Sequence, residues 1–124
     1  MKIGIDLDHT VYGFPDFFRE FIPAMVVRGH KFYCTSNHTQ SEWPRDREIL
    51  RGLGIDPDMI DPCYLPTRPV AGKTVEDRQA RKAPSADLLD IVFDDHADFI
   101  NPHCKTPVVK MPGKKSQDRG TLLK

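Results

Sequence analysis

The sequence predicts an α/β fold built on a central parallel sheet of about five strands, and three observations carry that expectation. Short apolar runs alternate with turn signals and helical periodicities along the 124 residues. Two of those runs end in acidic pairs, Asp6-Leu7-Asp8 and Asp94-Asp95, at the place where open α/β sheets put their ligand sites. The length suits one domain with a genuine core and leaves little room for a second lobe.

Residues 2–6 read as a buried first strand that stops at the acidic pair. Phe17, Phe18, Phe21, Ile22 and Met25 then recur at helical spacing, Gly29 ends that helix, and Pro23 is expected to kink or shorten it. The aromatic stripe Phe17, Phe18, Phe21, and Trp43 further on, belong to the core. Phe32-Tyr33-Cys34 is the second strand; Ser41 caps a helix with Pro44 in its first turn, running through Ile49, Leu50 and Leu53 to Gly54. Cys63-Tyr64-Leu65 reads as a short third strand and residues 74–81 as a polar, exposed helix. Ile91-Val92-Phe93 and Val108-Val109-Lys110-Met111 supply the last two strands.

Composition narrows the function classes. Eighteen basic residues balance 18 acidic ones, so no global field draws the chain to nucleic acid or membrane. Asp6 interrupts any apolar leader, and no apolar run approaches the roughly 20 residues of a membrane span. A cytoplasmic protein with no membrane partner is the expectation. Cys34, Cys63 and Cys104 are too few and too widely spaced for a disulfide framework or a zinc site, and read as free thiols. Residues 105–124 hold five Lys and one Arg against Asp118, a net of +5 that leaves −5 for residues 1–104; this basic end reads as a solvated tail.

The chemistry starts with Asp6 and Asp8, two apart along an extended strand end and so able to face one substrate. Two unit charges about 4 Å apart near a surface repel by about 4 kcal/mol, which a cation or a shared proton must relieve. One acidic pair at a strand end is ordinarily a turn or a cap. A second, Asp94-Asp95, changes the reading, because neighbouring strand ends would then gather an oxygen-rich site for Mg²⁺. Thr35-Ser36-Asn37 follows the second strand and offers hydroxyl and N–H donors to phosphoryl oxygens, with Ser36 competing with Thr35 for that role. Lys82, with Lys73 as its rival, supplies positive charge for a phosphate dianion. His38 and His96 follow two of these motifs and could touch substrate, though a solvated loop histidine is the commoner case and the reading preferred for both.

In that order, Asp6-x-Asp8-x-Thr10, Thr35 after a strand, Lys82, and Asp94-Asp95 after a strand resemble the four motifs of the haloacid dehalogenase superfamily, over nearly the whole chain. The first and last are specific in combination; the middle two are weak alone. The resemblance implies a Rossmann-like three-layer sandwich in which Asp6 is the nucleophile, forming an aspartyl-phosphate, and Asp8 the acid/base. It implies Thr35 and Lys82 as their catalytic partners, and Thr10, Thr35, Ser36, Asn37 and His9 as substrate contacts. Mg²⁺ would be held by the Asp6 carboxylate, the Asp8 backbone carbonyl and the last motif, with Asp95 ahead of Asp94 as the direct ligand. An acid two residues after the nucleophile favours the phosphatase branch over the dehalogenating one. His9 departs from the small residue more usual in relatives.

Residues 11–16 are too few for the cap domain that many relatives insert there, so the resemblance is to a capless member spanning 1–112, followed by a basic tail at 113–124. An open site suits a phosphorylated nucleotide, nucleic-acid end or phosphoprotein, or a homo-oligomer that covers it. Two other classes compete: a catalytically degenerate binding module, and a phosphorylatable receiver domain. The receiver pattern places its acidic pair after the first strand, the reverse of the order here.

Overall fold

The computed structural model describes residues 1–38, 40–62 and 74–112. Five strands, β1 (Lys2–Ile5), β2 (Lys31–Cys34), β3 (Ile60–Asp61), β4 (Ile91–Asp94) and β5 (Val108–Lys110), form one sheet in the order β3-β2-β1-β4-β5. Every neighbouring pair is parallel. Parallel pairing demands crossovers. These contain α1 (Pro15–Val27) after β1, α2 (Trp43–Gly52) after β2, α3 (Val75–Ala80) and α4 (Ala83–Ala86) before β4, and α5 (Ala97–Ile100) before β5. The chain leaves β1 for one side of the sheet and returns at β4 on the other. The carboxyl ends of β1 and β4 therefore flank the switch point, where sheets of this topology bind ligands.

The period-two alternation of a strand assigns each residue to a face. Ile3, Ile5, Phe32 and Ile60 pack with Phe18 and Ile22 of α1 and Leu50 of α2 in one apolar cluster. Val92 and Val108 pack with Ala83, Ala86, Leu89, Ala97 and Ile100 in the other. Gly4 lies between Ile3 and Ile5 and so faces that second cluster. A Cβ there would stand 2.7 Å from Leu89 Cδ1 and 2.9 Å from both Thr35 Cγ2 and Val92 Cγ2. The missing side chain lets the segment before β4 close on the central strand two residues before Asp6.

Several local expectations are revised. Pro23 does not end α1: the helix runs through it to Val27, because Phe18 and Ile22 bury the helix against the sheet and that packing outweighs one lost backbone bond. Gly29, at φ 90°, closes the turn after it. Ser41 does not cap α2. It lies in a 3₁₀ turn, Gln40–Glu42, which leaves Glu42 at the cap position while Pro44 keeps its place in the first turn. Phe17 is 47% exposed and stacks on Phe21, their centroids 5.1 Å apart, since a helical step turns it away from buried Phe18. Trp43 is half-buried at the edge of the core.

The expected helix at 74–81 forms as α3, opened by a capping box in which Thr74 Oγ1 accepts from the Asp77 N–H and Asp77 accepts from the Thr74 N–H. The third strand is Ile60–Asp61; Cys63-Tyr64-Leu65, Lys73 and the tail at 113–124 lie outside the described residues. Among the described residues neither Cys34 nor Cys104 is in a disulfide. Among the described residues no helix is long and apolar enough to cross a membrane.

Gly4→Ala should lower the unfolding free energy by about 1–3 kcal/mol through overpacking, read as a shift in the urea midpoint. An unchanged midpoint would show slack between β1 and Leu89 that these distances exclude.

Candidate active site at the ends of the central strands

The β1–β4 register, Ile3 opposite Ile91 and Ile5 opposite Phe93, continues one step beyond the strand. The Asp6 N–H donates to the Phe93 carbonyl at 3.0 Å, and on the other side the Thr35 N–H donates to the Ile5 carbonyl at 2.9 Å. Backbone pairing alone therefore brings Asp6, Thr35 and the Asp94-Asp95 pair to one end of the sheet. The chain then reverses over Leu7–Val11, with Asp8 extended (φ −63°, ψ 129°) and His9 left-handed at φ 61°. His9 is the one non-glycine residue with positive φ among the described residues. That conformation costs a side chain on the order of 1–2 kcal/mol, and it turns the chain back immediately after Asp8.

A small cleft of about 80 Å³ opens here, lined by Asp6, Asp8, His9, Ser36, Asn37, Lys82 and Asp95. Three of the expected site residues lie outside that lining: Thr10, Thr35 and Asp94 are buried. Thr10, expected to touch substrate, uses its hydroxyl as a brace, accepting from the Asp95 N–H at 3.1 Å and donating to Asp6 Oδ2 at 3.4 Å. It ties the ends of β1 and β4 together. The Thr35 hydroxyl has no hydrogen-bond partner among the described residues. Asn37 donates to the Arg78 carbonyl at 3.4 Å, and Ser36 Oγ accepts from the His38 N–H at 3.3 Å.

The electrostatic centre is a buried triad. Lys82 Nζ donates to Asp6 Oδ1 at 3.1 Å and to Asp94 Oδ2 at 2.8 Å, and all three side chains are at most 5% exposed. Burial alone would lower the Lys82 ammonium, but the charges of Asp6 and then Asp94 hold it above its ordinary value. Burial pushes Asp6 well above the usual carboxylate range, the charge of Asp94 pushes it further, and Lys82 opposes both. Asp94 Oδ1 also accepts from the His96 N–H at 2.8 Å, so both Asp94 oxygens are committed. Asp95 differs: its Oδ1 is buried with no hydrogen-bond partner among the described residues.

This donor set fits a hard divalent cation. Ligating atoms of Asp94, Asp95 and His96 lie within 4.8 Å of one another. Three carboxyl groups, Asp6, Asp94 and Asp95, stand against one ammonium, Lys82, an excess of acidic groups that a divalent cation would offset. Of the adjacent acids, Asp95 is the one with an oxygen to give.

The reading of His38 and His96 as solvated loop residues is corrected. Both line the cleft, as does Gln79. His38 bridges two acids, with Nδ1 2.7 Å from Asp46 Oδ2 and Nε2 2.8 Å from Asp8 Oδ2. Its hydrogen bonds to Asp46 and then to Asp8 outweigh burial and push the imidazole up to about 10. At neutral pH it is an imidazolium that donates from both nitrogens. Asp46 is itself buried and accepts from the Tyr12 hydroxyl at 2.7 Å. Gln79 stands one helical step before Lys82 and His96 adjoins Asp95, spacings from which both were findable. His38 adjoins Asn37 in the same way, but its acidic partners, 8 and 30 residues away, leave no spacing to read. Comparison of the chain with protein-family models, curated proteins and solved structures finds no match.

Asp94→Ala should cost about 1–3 kcal/mol of stability, because the buried Lys82 ammonium loses one of its two acceptors and the His96 N–H loses its own, whereas Asp95→Ala should cost clearly less because the Lys82 pairs survive. Chemical denaturation without added metal compares them, and equal losses would contradict this division of roles.

Proposed function

We propose that this protein is a Mg²⁺-dependent phosphomonoester hydrolase of the haloacid dehalogenase type, a cytoplasmic enzyme acting through an aspartyl-phosphate on Asp6. The observation that carries the reading is the position of Asp6: buried at the end of the central strand, held by Lys82 and Thr10, in one cleft with Asp8 and Asp95.

In the first half-reaction an Asp6 carboxylate oxygen forms a bond to phosphorus as the ester P–O bond breaks, and Asp8 gives its proton to the departing oxygen. In the second, Asp8 takes a proton from water, the water oxygen bonds to phosphorus, and the Asp6–phosphorus linkage breaks to release phosphate. Lys82 supplies fixed positive charge beside the nucleophile. Ser36 and Asn37, which line the cleft from the turn after β2, would meet phosphoryl oxygens, and His9, which also lines it, the leaving group. The Asp6 carboxylate, the Asp8 backbone carbonyl and Asp95 would hold Mg²⁺, with Asp94 aligning them from behind. When bound, the ion offsets the repulsion between the phosphate dianion and these carboxylates. The substrate class is a phosphorylated nucleotide, nucleic-acid end or phosphoprotein, with a homo-oligomer as the form that would cover the cleft.

Phosphate release from a panel of phosphomonoesters should require Mg²⁺ and vanish in Asp6→Asn, whose side chain has nearly the same shape but is a poor nucleophile, with the circular dichroism spectrum unchanged. Asp95→Ala should raise the Mg²⁺ concentration for half-maximal rate by at least about tenfold, and more than Asp94→Ala does. Full activity in excess chelator would refute the mechanism.

A further inference from the structure

Beside the buried triad runs a second polar chain, Tyr12, Asp46 and His38, that the mechanism above does not use and that ends on Asp8. Its far end is the most costly to build. Asp46, in the first turn of α2, is 1% exposed, and a carboxylate taken out of water needs compensating partners. Its two oxygens receive Tyr12 Oη–H at 2.7 Å and His38 Nδ1–H at 2.7 Å. Tyr12 is fully buried, directly after the turn that carries Asp8. The opposite nitrogen of the same imidazole reaches Asp8 Oδ2 at 2.8 Å. A planar ring bonded at both nitrogens has neither side-chain torsion free, so the position of Asp46 in the core is transmitted to the carboxylate of Asp8.

We infer that His38, braced by Asp46 and Tyr12, is a positioning residue that holds Asp8 Oδ2 and so leaves Oδ1 to carry the proton given to the leaving group and regained from water; this rests on the phosphohydrolase reading. Asp8 is half-buried on its turn, and an aspartate that keeps contact with solvent samples several rotamers unless a partner holds it. A general acid must come within about 2.6–3.2 Å of its target, and a misplacement of about 1 Å can cost on the order of 10²-fold in rate. His38 reaches Asp8 from the β2 turn while Lys82 reaches Asp6 from the α3–α4 junction, so separate elements hold the two carboxyl groups.

The two amide replacements of histidine separate the two contacts. The Asn amide nitrogen stands near the place of Nδ1 and can still reach Asp46, but not Asp8. The Gln amide nitrogen stands near the place of Nε2 and can reach Asp8.

Steady-state kinetics with Mg²⁺ on one alkyl phosphate and one aryl phosphate test the assignment. His38→Asn should lower kcat for the alkyl ester by about 10–100-fold, with KM little changed and the aryl ester much less affected, since its leaving group needs little protonation. His38→Gln should restore most of the alkyl rate. Asp8→Asn added to His38→Asn should cost much less than Asp8→Asn alone, because both act on one step. Tyr12→Phe, which keeps the buried ring, should lower the alkyl rate in the same direction by a smaller factor, and with His38→Gln it carries the test if His38→Asn does not fold. Equal losses on the two esters, or additive effects of His38→Asn and Asp8→Asn, would overturn the positioning role while leaving the hydrolase reading in place. A native protein that hydrolyses neither ester would overturn both.

Discussion

The ion triad of Lys82 between Asp6 and Asp94 is the constraint on which the rest of the arrangement depends. It joins the end of β1, the end of β4 and the α3–α4 junction through two hydrogen bonds from one ammonium group. A buried set of this kind stabilises little in net terms, because desolvating three charges consumes most of the Coulombic gain. Its effect lies in what it forbids. Neither strand end can shift without exposing an unpaired charge to the apolar clusters on either side, so the register that begins with Ile3 opposite Ile91 is held to the cleft itself. The triad also sets two carboxyl groups against one ammonium, and with Asp95 alongside that excess of acidic groups favours a cation over a second neutral group.

Much of this geometry was legible in the sequence because it is set by strand periodicity. An apolar run that stops at an acid announces a strand whose carboxyl end carries that acid, and parallel order then places two such ends side by side. Asp6, Asp8, Asp94 and Asp95 needed no more than this. Lys82 required the helical reading of 74–81, which the capping box at Thr74 secures. Where local rules failed, tertiary packing had overridden them. Pro23 sits in a helix that Phe18 and Ile22 anchor on one face, and Ser41 lost its capping role when the chain took a 3₁₀ turn instead.

Thr10 and His38 were misread for a different reason. A threonine beside a catalytic acid reads as a substrate contact, yet here it is fully buried and links Asp95 to Asp6. A histidine in a polar turn reads as solvated, and only the fold reveals that α2 delivers Asp46 behind it and the β1 turn delivers Asp8 in front. Side chains that act on other side chains leave no spacing in the sequence, because their partners are neighbours only in space. The two polar networks thus divide the site: one fixes the carboxylate proposed to attack phosphorus, the other the carboxylate proposed to handle the proton.

The central claim is that Asp6 becomes covalently phosphorylated, and chemical trapping addresses it most directly. Native protein turning over a phosphomonoester with Mg²⁺ is quenched in acid, treated with borohydride, which reduces an acyl phosphate to an alcohol, and mapped by peptide mass spectrometry. The account predicts reduction of the side chain at position 6 and at no other carboxylate, dependent on substrate. Phosphate release during the same turnover with residue 6 unmodified, or with another carboxylate reduced in its place, would contradict it.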